Sequence, residues 1–298
     1  MKGTKKLQKQ NILIFFFCMF GCFFCCGCGL ETIVIVQPPI TSNGSSLYST
    51  TDPLSWFCDF VTEEEKNDSL PGADFIGTEV YYRIYKNYST LSSHKSGISQ
   101  INTTTNTTAA ATRLIETYKY QPLGMYPEQS RAVFAYNRGS NTRVYFRLKT
   151  VKDSTGIGYR AAISRPYGEK TARYYGYDDM NGLIFYDYDK AADSWTTGDA
   201  PPVPVDYKDL RLVVPYRTIS VGVRSFDFFD DNETKNTINV EPVEGDIDYE
   251  YSSTFTADYD NTYFVQLYAV GVALDTNTCA NTYSLVLDLG TIPIQKGK

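Results

Sequence analysis

Cys25, Cys26 and Cys28 fall within four positions and form the densest cluster of reactive side chains in this sequence. A thiolate can ligate a metal, pair in a disulfide or carry an acyl chain. Structural zinc sites take cysteines as paired CxxC units separated by a folded loop. Here they sit among phenylalanines in FFCCGCG (23–29), with no loop between pairs. His94 is the single histidine. As a general base it needs a nucleophile and an orienting acid, and no spacing nominates either. Carboxylates crowd at Asp227, Asp230, Asp231 and Glu233, and again at Asp187, Asp189 and Asp193. Oxygen donors of this kind suit calcium, yet neither run has the twelve-residue EF-hand spacing, so both read as solvated loops. A glycan hydrolase, the rival class, needs two carboxylates about 5–10 Å apart across a sugar. No such pair stands out among the 34 acids. Phosphate-loop and dinucleotide glycine signatures are absent, and Gly156 and Gly158 of DSTGIG read as a hairpin turn. The sequence therefore implies no cofactor, no metal and no catalytic residue.

The flanking elements decide what the clustered cysteines do. MKGTKKLQKQ carries Lys2, Lys5, Lys6 and Lys9 with no acid, the apolar run covers 11–24, and Gly27 precedes Cys28. A basic region, an apolar region and a small residue at the cut make a secretory signal. With a cysteine directly after the cut, this stretch looks like a bacterial lipobox, whose cysteine thiol receives a diacylglyceryl chain. Cys25 stands where the usual box has leucine, a departure known from the relaxed boxes of spirochaetes. Cys22, after Gly21, is a second candidate with a shorter apolar run ahead of it. An uncleaved membrane helix is the rival, since residues 11–28 approach bilayer-spanning length. The GCG break and the β-branched IVIV after it argue against that helix. The expectation is a signal peptide at 1–27, lipidation of Cys28, and a lipidated N-terminus and spacer over 28–52. The protein would be anchored to the membrane through that lipid, in the cell envelope at the outer membrane or cell surface.

Removing residues 1–27 takes away four lysines and no acid, leaving 24 basic against 34 acidic residues, a net charge of −10. An acidic body repels phosphate backbones, which argues against nucleic acid as a partner. The remaining 271 residues are enough for a full core. Tyrosine dominates, with 25 against one histidine and two tryptophans. Aromatic and β-branched side chains suit pleated, half-buried surfaces.

The patterning agrees. RVYFRLK (143–149) alternates Val144, Phe146 and Leu148 with polar or aromatic neighbours. EVYYRIYK (79–86) puts Val80, Tyr82 and Ile84 on one face and Glu79, Tyr81, Arg83 and Tyr85 on the other. YSLVLDLG (283–290) alternates Tyr283, Leu285, Leu287 and Leu289 with Ser284, Val286 and Asp288, and FVQLYAVGVAL (264–274) is apolar on both faces, as a central strand should be. Further strands are expected at 32–36, 55–61, 171–177, 183–188 and 219–229, with a hairpin at Asn181-Gly182. Helical spacing appears at 89–101, through Leu91, His94, Ile98 and Ile101, and at 109–120, through Ala111, Leu114, Ile115 and Tyr118. The fold class expected is all-β: a body over 53–298, with a helical insertion at about 89–120 and an inserted β subdomain at about 121–215.

Four segments carry a resemblance. CGLETIVIV (28–36), FIGTEVYYRIYKN (75–87), AAATRLIETYKY (109–120) and YFVQLYAVGVALDTNTCANTYSLVLDLGTI (263–292) resemble a family of treponemal lipoproteins of uncharacterised function. The G-x-E-V-Y-Y and Y-x-V-Q-L-Y-A-V-G strands are similar to strands C and F of fibronectin type III domains. The resemblance implies an antiparallel immunoglobulin- or fibronectin-like sandwich and brings no catalytic residue with it. Exposed tyrosine suits binding of a protein or glycan ligand, for which Tyr81, Tyr85 and the group Tyr174, Tyr175, Tyr177, Tyr186 and Tyr188 are the candidates, but the favoured reading is that sandwich and helices cover both faces of these strands. In a fibronectin-like sandwich the second strand and the last hairpin loop can approach, so Cys58 and Cys279 are candidates for a disulfide in an oxidising compartment. A core-facing Cys58 packs equally well as a small hydrophobe.

Overall fold

A computed structural model describes residues 34–41, 58–126, 241–251 and 261–295, together with shorter stretches, mostly strands, between 130 and 228. The expected signal peptide, Cys22 and Cys28 lie outside the described residues, as do Asp193, Asp230, Asp231 and Glu233. Strands dominate and pair antiparallel with one exception, in line with the all-β expectation.

The central sheet is built on two long strands, β3 (Ala73–Tyr85) and β17 (Thr262–Asp275). They pair antiparallel with Val265 opposite Ile84 and Ala269 opposite Val80. β18 (Asn281–Gln295) adds to the far side of β17, and β16 (Tyr249–Glu250) runs parallel to β3 with Tyr249 opposite Ile84. Short strands β4 (Gln121–Pro122) and β7 (Val133–Ala135) also pair with β3. A second sheet joins β1 (Ile40–Thr41), β2 (Cys58–Val61) and β8 (Arg143–Phe146) in that order. The largest apolar core combines Cys58, Phe60, Val144 and Phe146 of this sheet with Val80, Tyr82, Ile84, Val265 and Leu267 of the central one. Two sheets therefore share one interior, as period-2 alternation on each strand requires.

The other face of the central sheet is covered by helices. α1 (Glu64–Asn67) is a single turn before β3, whereas α2 (Tyr88–Ile101) and α3 (Ala109–Thr112) come after it, the latter running on into a π-helical turn over Arg113–Thr117. Asn87 starts α2 by accepting hydrogen bonds from the N–H groups of Ser89 (2.8 Å) and Thr90 (3.3 Å), the usual device for unpaired first-turn donors. Leu91, Ile98, Ala110, Ala111 and Leu114 pack onto Tyr81, Tyr85, Tyr268 and Val270. For β3 the covered reading of its tyrosines holds. The face of β3 holding Tyr81, Arg83 and Tyr85 is buried, because the helical insertion lies on it. Every residue from 77 to 85 is buried. Neither Tyr81 nor Tyr85 can serve as an exposed binding residue.

The β17–β18 pairing is interrupted twice by bulges, one of them beside Gly290, whose φ of +91° only glycine adopts freely. Each bulge exchanges the two faces for the residues beyond it. Leu287 and Leu289 accordingly join the core between the sheets, whereas Tyr283 packs with the helices. At the end of α2, the Asn102 side chain grips β18. Its Nδ2 donates to the Val286 carbonyl (2.9 Å) and its Oδ1 accepts from the Val286 N–H (3.0 Å).

Of the strand expected at 32–36, the described residues 34–36 join no ladder, and the segment 34–39 is bound to the body instead. Val36 is buried with Ala73, Phe75 and Ala273. Asn67 holds Gln37 from both sides, accepting from its N–H (2.8 Å) and donating to its carbonyl (3.0 Å). Gly271 permits this approach, since a Cβ there would lie 3.0 Å from the Gln37 oxygen. The body thus takes hold of the chain at Val34, inside the stretch expected to be spacer.

Between 121 and 215 three small sheets are described. β15 (Val214–Tyr216), β5 (Gly124–Tyr126) and β6 (Ser130–Arg131) form one, and β9 (Val151–Lys152) pairs with β10 (Gly158–Tyr159). β11 (Pro166–Tyr167), β12 (Thr171–Asp178), β13 (Gly182–Asp189) and β14 (Ser194–Gly198) form the third in sequence order. The two strands flanking the expected Asn181-Gly182 turn pair as a hairpin requires, with Asp178 opposite Gly182, while Asn181 lies outside the described residues.

Candidate functional site: the aromatic end of the central sheet

Three groups of polar and aromatic side chains could carry function. The first is buried between β16 and β15. Arg217 grips Asp248 through two bonds, Nε to Oδ2 at 2.8 Å and Nη2 to Oδ1 at 2.7 Å, and reaches Asp246 at 2.6 Å. Tyr82 donates its hydroxyl to Asp248 (2.6 Å) and accepts the Thr218 N–H (2.7 Å). Both charged side chains of the Arg217–Asp248 pair are fully buried. Burial, then the neighbouring Asp248 charge, pushes the Tyr82 hydroxyl well above its ordinary value. Burial opposes the Arg217 charge, but bonding to Asp248 and Asp246 outweighs it and raises that pKa. A buried pair so completely bonded is a strut between distant segments of chain.

The second group surrounds His94, under the helices. Its Nδ1 meets the Tyr85 hydroxyl at 3.0 Å, Tyr85 donates to Tyr120 at 3.0 Å, and the imidazole stacks on Tyr118 with centroids 4.1 Å apart. Burial lowers the His94 pKa and raises those of Tyr85 and Tyr120. These shifts favour the neutral imidazole and the neutral Tyr85 and Tyr120 phenols. His94 lies half-buried on the helix that its spacing predicted.

The third group lies where β3 and β16 end and β17 begins, with Tyr85 opposite both Glu250 and Phe264. Tyr88, 50% exposed, meets Phe264 edge-on at 5.3 Å. Lys86 sits over the Tyr263 ring at 4.3 Å, and Tyr263 donates to Glu241 at 2.9 Å. Tyr249 lies edge-on to Tyr263 and to Tyr251, and burial, then Tyr251 and Glu241, raises its pKa to about 12. Tyr251 is 42% exposed, and Val243 and Ile247 on the same segment are half exposed. Of the seven large hydrophobic residues exposed among the described residues, four belong to this end. Tyrosines placed this way offer apolar contact area with a polar tip, an arrangement suited to binding.

The residues singled out by sequence are distributed elsewhere. Cys58 is buried in β2 opposite Phe146, and Cys279 sits exposed with a free thiol in the turn between β17 and β18, its N–H bonded to the Asp275 carbonyl at 2.8 Å. The fold does not bring the two together: a core-facing strand residue and a hairpin tip point to different surroundings. Tyr174 pairs with Tyr186 across β12 and β13, where Arg173 also stands opposite Asp187. Among the described residues no cluster of His, Cys, Asp and Glu is arranged to hold a metal ion, and no helix is long and apolar enough to cross a membrane. The aromatic end was missed by sequence reasoning. Its signal was weak, consisting of Tyr88 directly after a helix cap and the apolar punctuation of EPVEGDIDYEY (241–251). Comparison with family models, with curated proteins and with solved structures returned no match.

Proposed function

We propose that this chain is a bacterial envelope lipoprotein, anchored through lipid on Cys28, whose body binds a partner and performs no chemistry. The observation that carries the binding role is the aromatic end, where Tyr88, Val243, Ile247 and Tyr251 leave apolar surface in water. Exposed apolar side chains at one end of a sheet suit an interaction site. The aliphatic members favour a protein partner over a glycan, because sugar rings stack on aromatic faces. The N-terminal signal and Gly27-Cys28 support the anchor, together with the resemblance to treponemal lipoproteins. The two sheets facing one another across a common core support an immunoglobulin- or fibronectin-like sandwich, extended by a helical layer on its outer face.

Photo-crosslinking residues introduced at Tyr88, at Tyr251 and, as a control, at Thr276 test the binding role in cells carrying the full-length protein. Discrete protease-sensitive adducts at 88 and 251 but not at 276 are expected. Adducts sensitive to glycosidase alone indicate a glycan, and identical patterns at all three positions reject the site. For the anchor, Cys28→Ser is expected to abolish fatty-acid labelling and leave an uncleaved precursor. Undiminished labelling refutes it, and labelling lost only with Cys22→Ser moves it to Cys22.

A further inference from the structure

The place where the body takes hold of its N-terminal segment determines which end an anchored molecule turns to the membrane. Val36 packs against Ala73, the first residue of β3, and Ala273, near the last of β17, while Val34 and Leu70 pack against the same cluster. The tip of the β17–β18 hairpin is tied to this end, with the Thr276 N–H donating to the Gly72 carbonyl at 3.0 Å. Five residues, 29–33, separate Cys28 from Val34. Fully extended, the step from Cys28 to Val34 spans at most about 20 Å. The thirteen residues of β3 extend about 40 Å from Ala73 to the aromatic end. A tether half as long as the strand cannot present the far end to the bilayer while the near end points away.

The near end also carries the exposed carboxylates of Asp68 and Asp74, and the hairpin tip is its uncharged part. The tip residues 276–280, TNTCA, carry no charge. The Asp275 carboxylate beside them is engaged by the Asn277 and Thr278 N–H groups at 2.8 and 3.0 Å. Ile35, half exposed on the clamped segment, supplies apolar surface at this end. We infer that the anchored protein meets the lipid headgroup surface with the end that holds Ile35 and the 276–280 tip, and that the aromatic end with Tyr88 and Tyr251 faces away from the bilayer. This inference rests on the lipidation of Cys28, and it makes the aromatic end the one presented to partners.

The molecule carries its own reporter. Once Cys28 is acylated, the thiols of the described residues are Cys58, in the core, and Cys279, exposed at the tip. The mature, lipidated protein is reconstituted in phosphatidylglycerol–phosphatidylethanolamine vesicles, and Cys279 is labelled with an environment-sensitive fluorophore. Headgroup-nitroxide lipid is then the quencher. Fluorescence is expected to be lost at 279 and preserved for a label at 88 in the Tyr88→Cys, Cys279→Ser protein. A flexible Gly-Ser insertion between Thr32 and Ile33, lengthening the tether past the length of β3, is expected to relieve the quenching without releasing the protein from vesicles. Equal or stronger quenching at 88, or no relief by the insertion, overturns the orientation while leaving the anchor intact. Protein that fails to float with the vesicles and lacks fatty acid on Cys28 overturns the anchor and the orientation together.

Discussion

Asp248→Ala tests the buried strut most directly. The Asp248 side chain accepts two bonds from Arg217 and one from Tyr82, and no part of it reaches solvent. Its removal leaves Arg217 with Asp246 as its remaining acidic contact of the pair described, 13% exposed and bound through one nitrogen. Breaking one partner out of a buried, hydrogen-bonded ion pair costs about 3–5 kcal/mol, because the remaining charge stays buried. Tyr82→Phe removes one bond to that carboxylate and orphans the Thr218 N–H, a loss of about 1.5–3 kcal/mol. The two losses overlap, since the Tyr82 bond is already gone once Asp248 is alanine. The double variant is therefore expected to cost less than the sum, a coupling of about 1 kcal/mol or more for residues in direct contact. Arg217→Met with Asp248→Leu removes both charges and is expected to approach neutrality. Urea unfolding of the mature protein, monitored by tyrosine fluorescence and circular dichroism, supplies each free energy. A cost below about 1 kcal/mol for Asp248→Ala, the range of surface ion pairs, would refute the description of this cluster as closed and buried.

Further outcomes concern other layers of the molecule. Ile84→Ala, in the core between the sheets, is expected to cost about 2–5 kcal/mol. Arg83→Ala, which gives up bonds to Glu250 (3.1 Å from Nε) and the Lys119 carbonyl (2.8 Å), is expected to cost about 1–2 kcal/mol, not the near-zero effect of a solvent-facing arginine. Thiol titration of the mature protein should find Cys279 reactive in the native state and two thiols after unfolding without reductant; zero after unfolding would establish a bridge. Because burial lowers the His94 pKa, the unfolded chain takes up the proton first. Stability is then full above the ordinary histidine value of about 6.5, declines as pH falls through it, and levels off below the folded-state pKa. His94→Phe, which keeps a ring on Tyr118, should remove that slope, and an unchanged slope would assign it to other groups.

Much of this arrangement was legible from local pattern. Leu91 and Ile98 gave α2 away by their seven-residue spacing, and the two-sided apolar run of 264–274 identified the central strand. The pairing of β12 with β13 was legible from turn chemistry alone. What pattern could not show was contact between residues far apart in the chain. Arg83 looks like a solvent residue until Glu250, 167 positions later, is brought beside it. The face of Tyr81 and Tyr85 reads as exposed or covered depending on where the helices land, which no alternation records. Tyr88 and Tyr251 became the exposed aromatics because the strands stop there, and strand ends are the least legible feature of a sequence. The bulges in β17–β18 similarly moved Tyr283 off the face that simple alternation gave it.

The grip of Asn102 on Val286 has a consequence for crowding. Among the described residues β18 pairs with β17 alone, so every other residue along it turns its backbone donor and acceptor to an outer rim. Proteins confined to a membrane leaflet meet one another at far higher effective concentration than the same molecules in solution, and such a rim invites strand addition by a neighbour. Both bonding groups of Val286 are directed away from β17, and the Asn102 amide occupies both, acting as a one-residue strand. Pro293, further along, has no N–H to offer. Val286 and Pro293 are thus two positions on this margin at which an incoming strand finds no free backbone N–H.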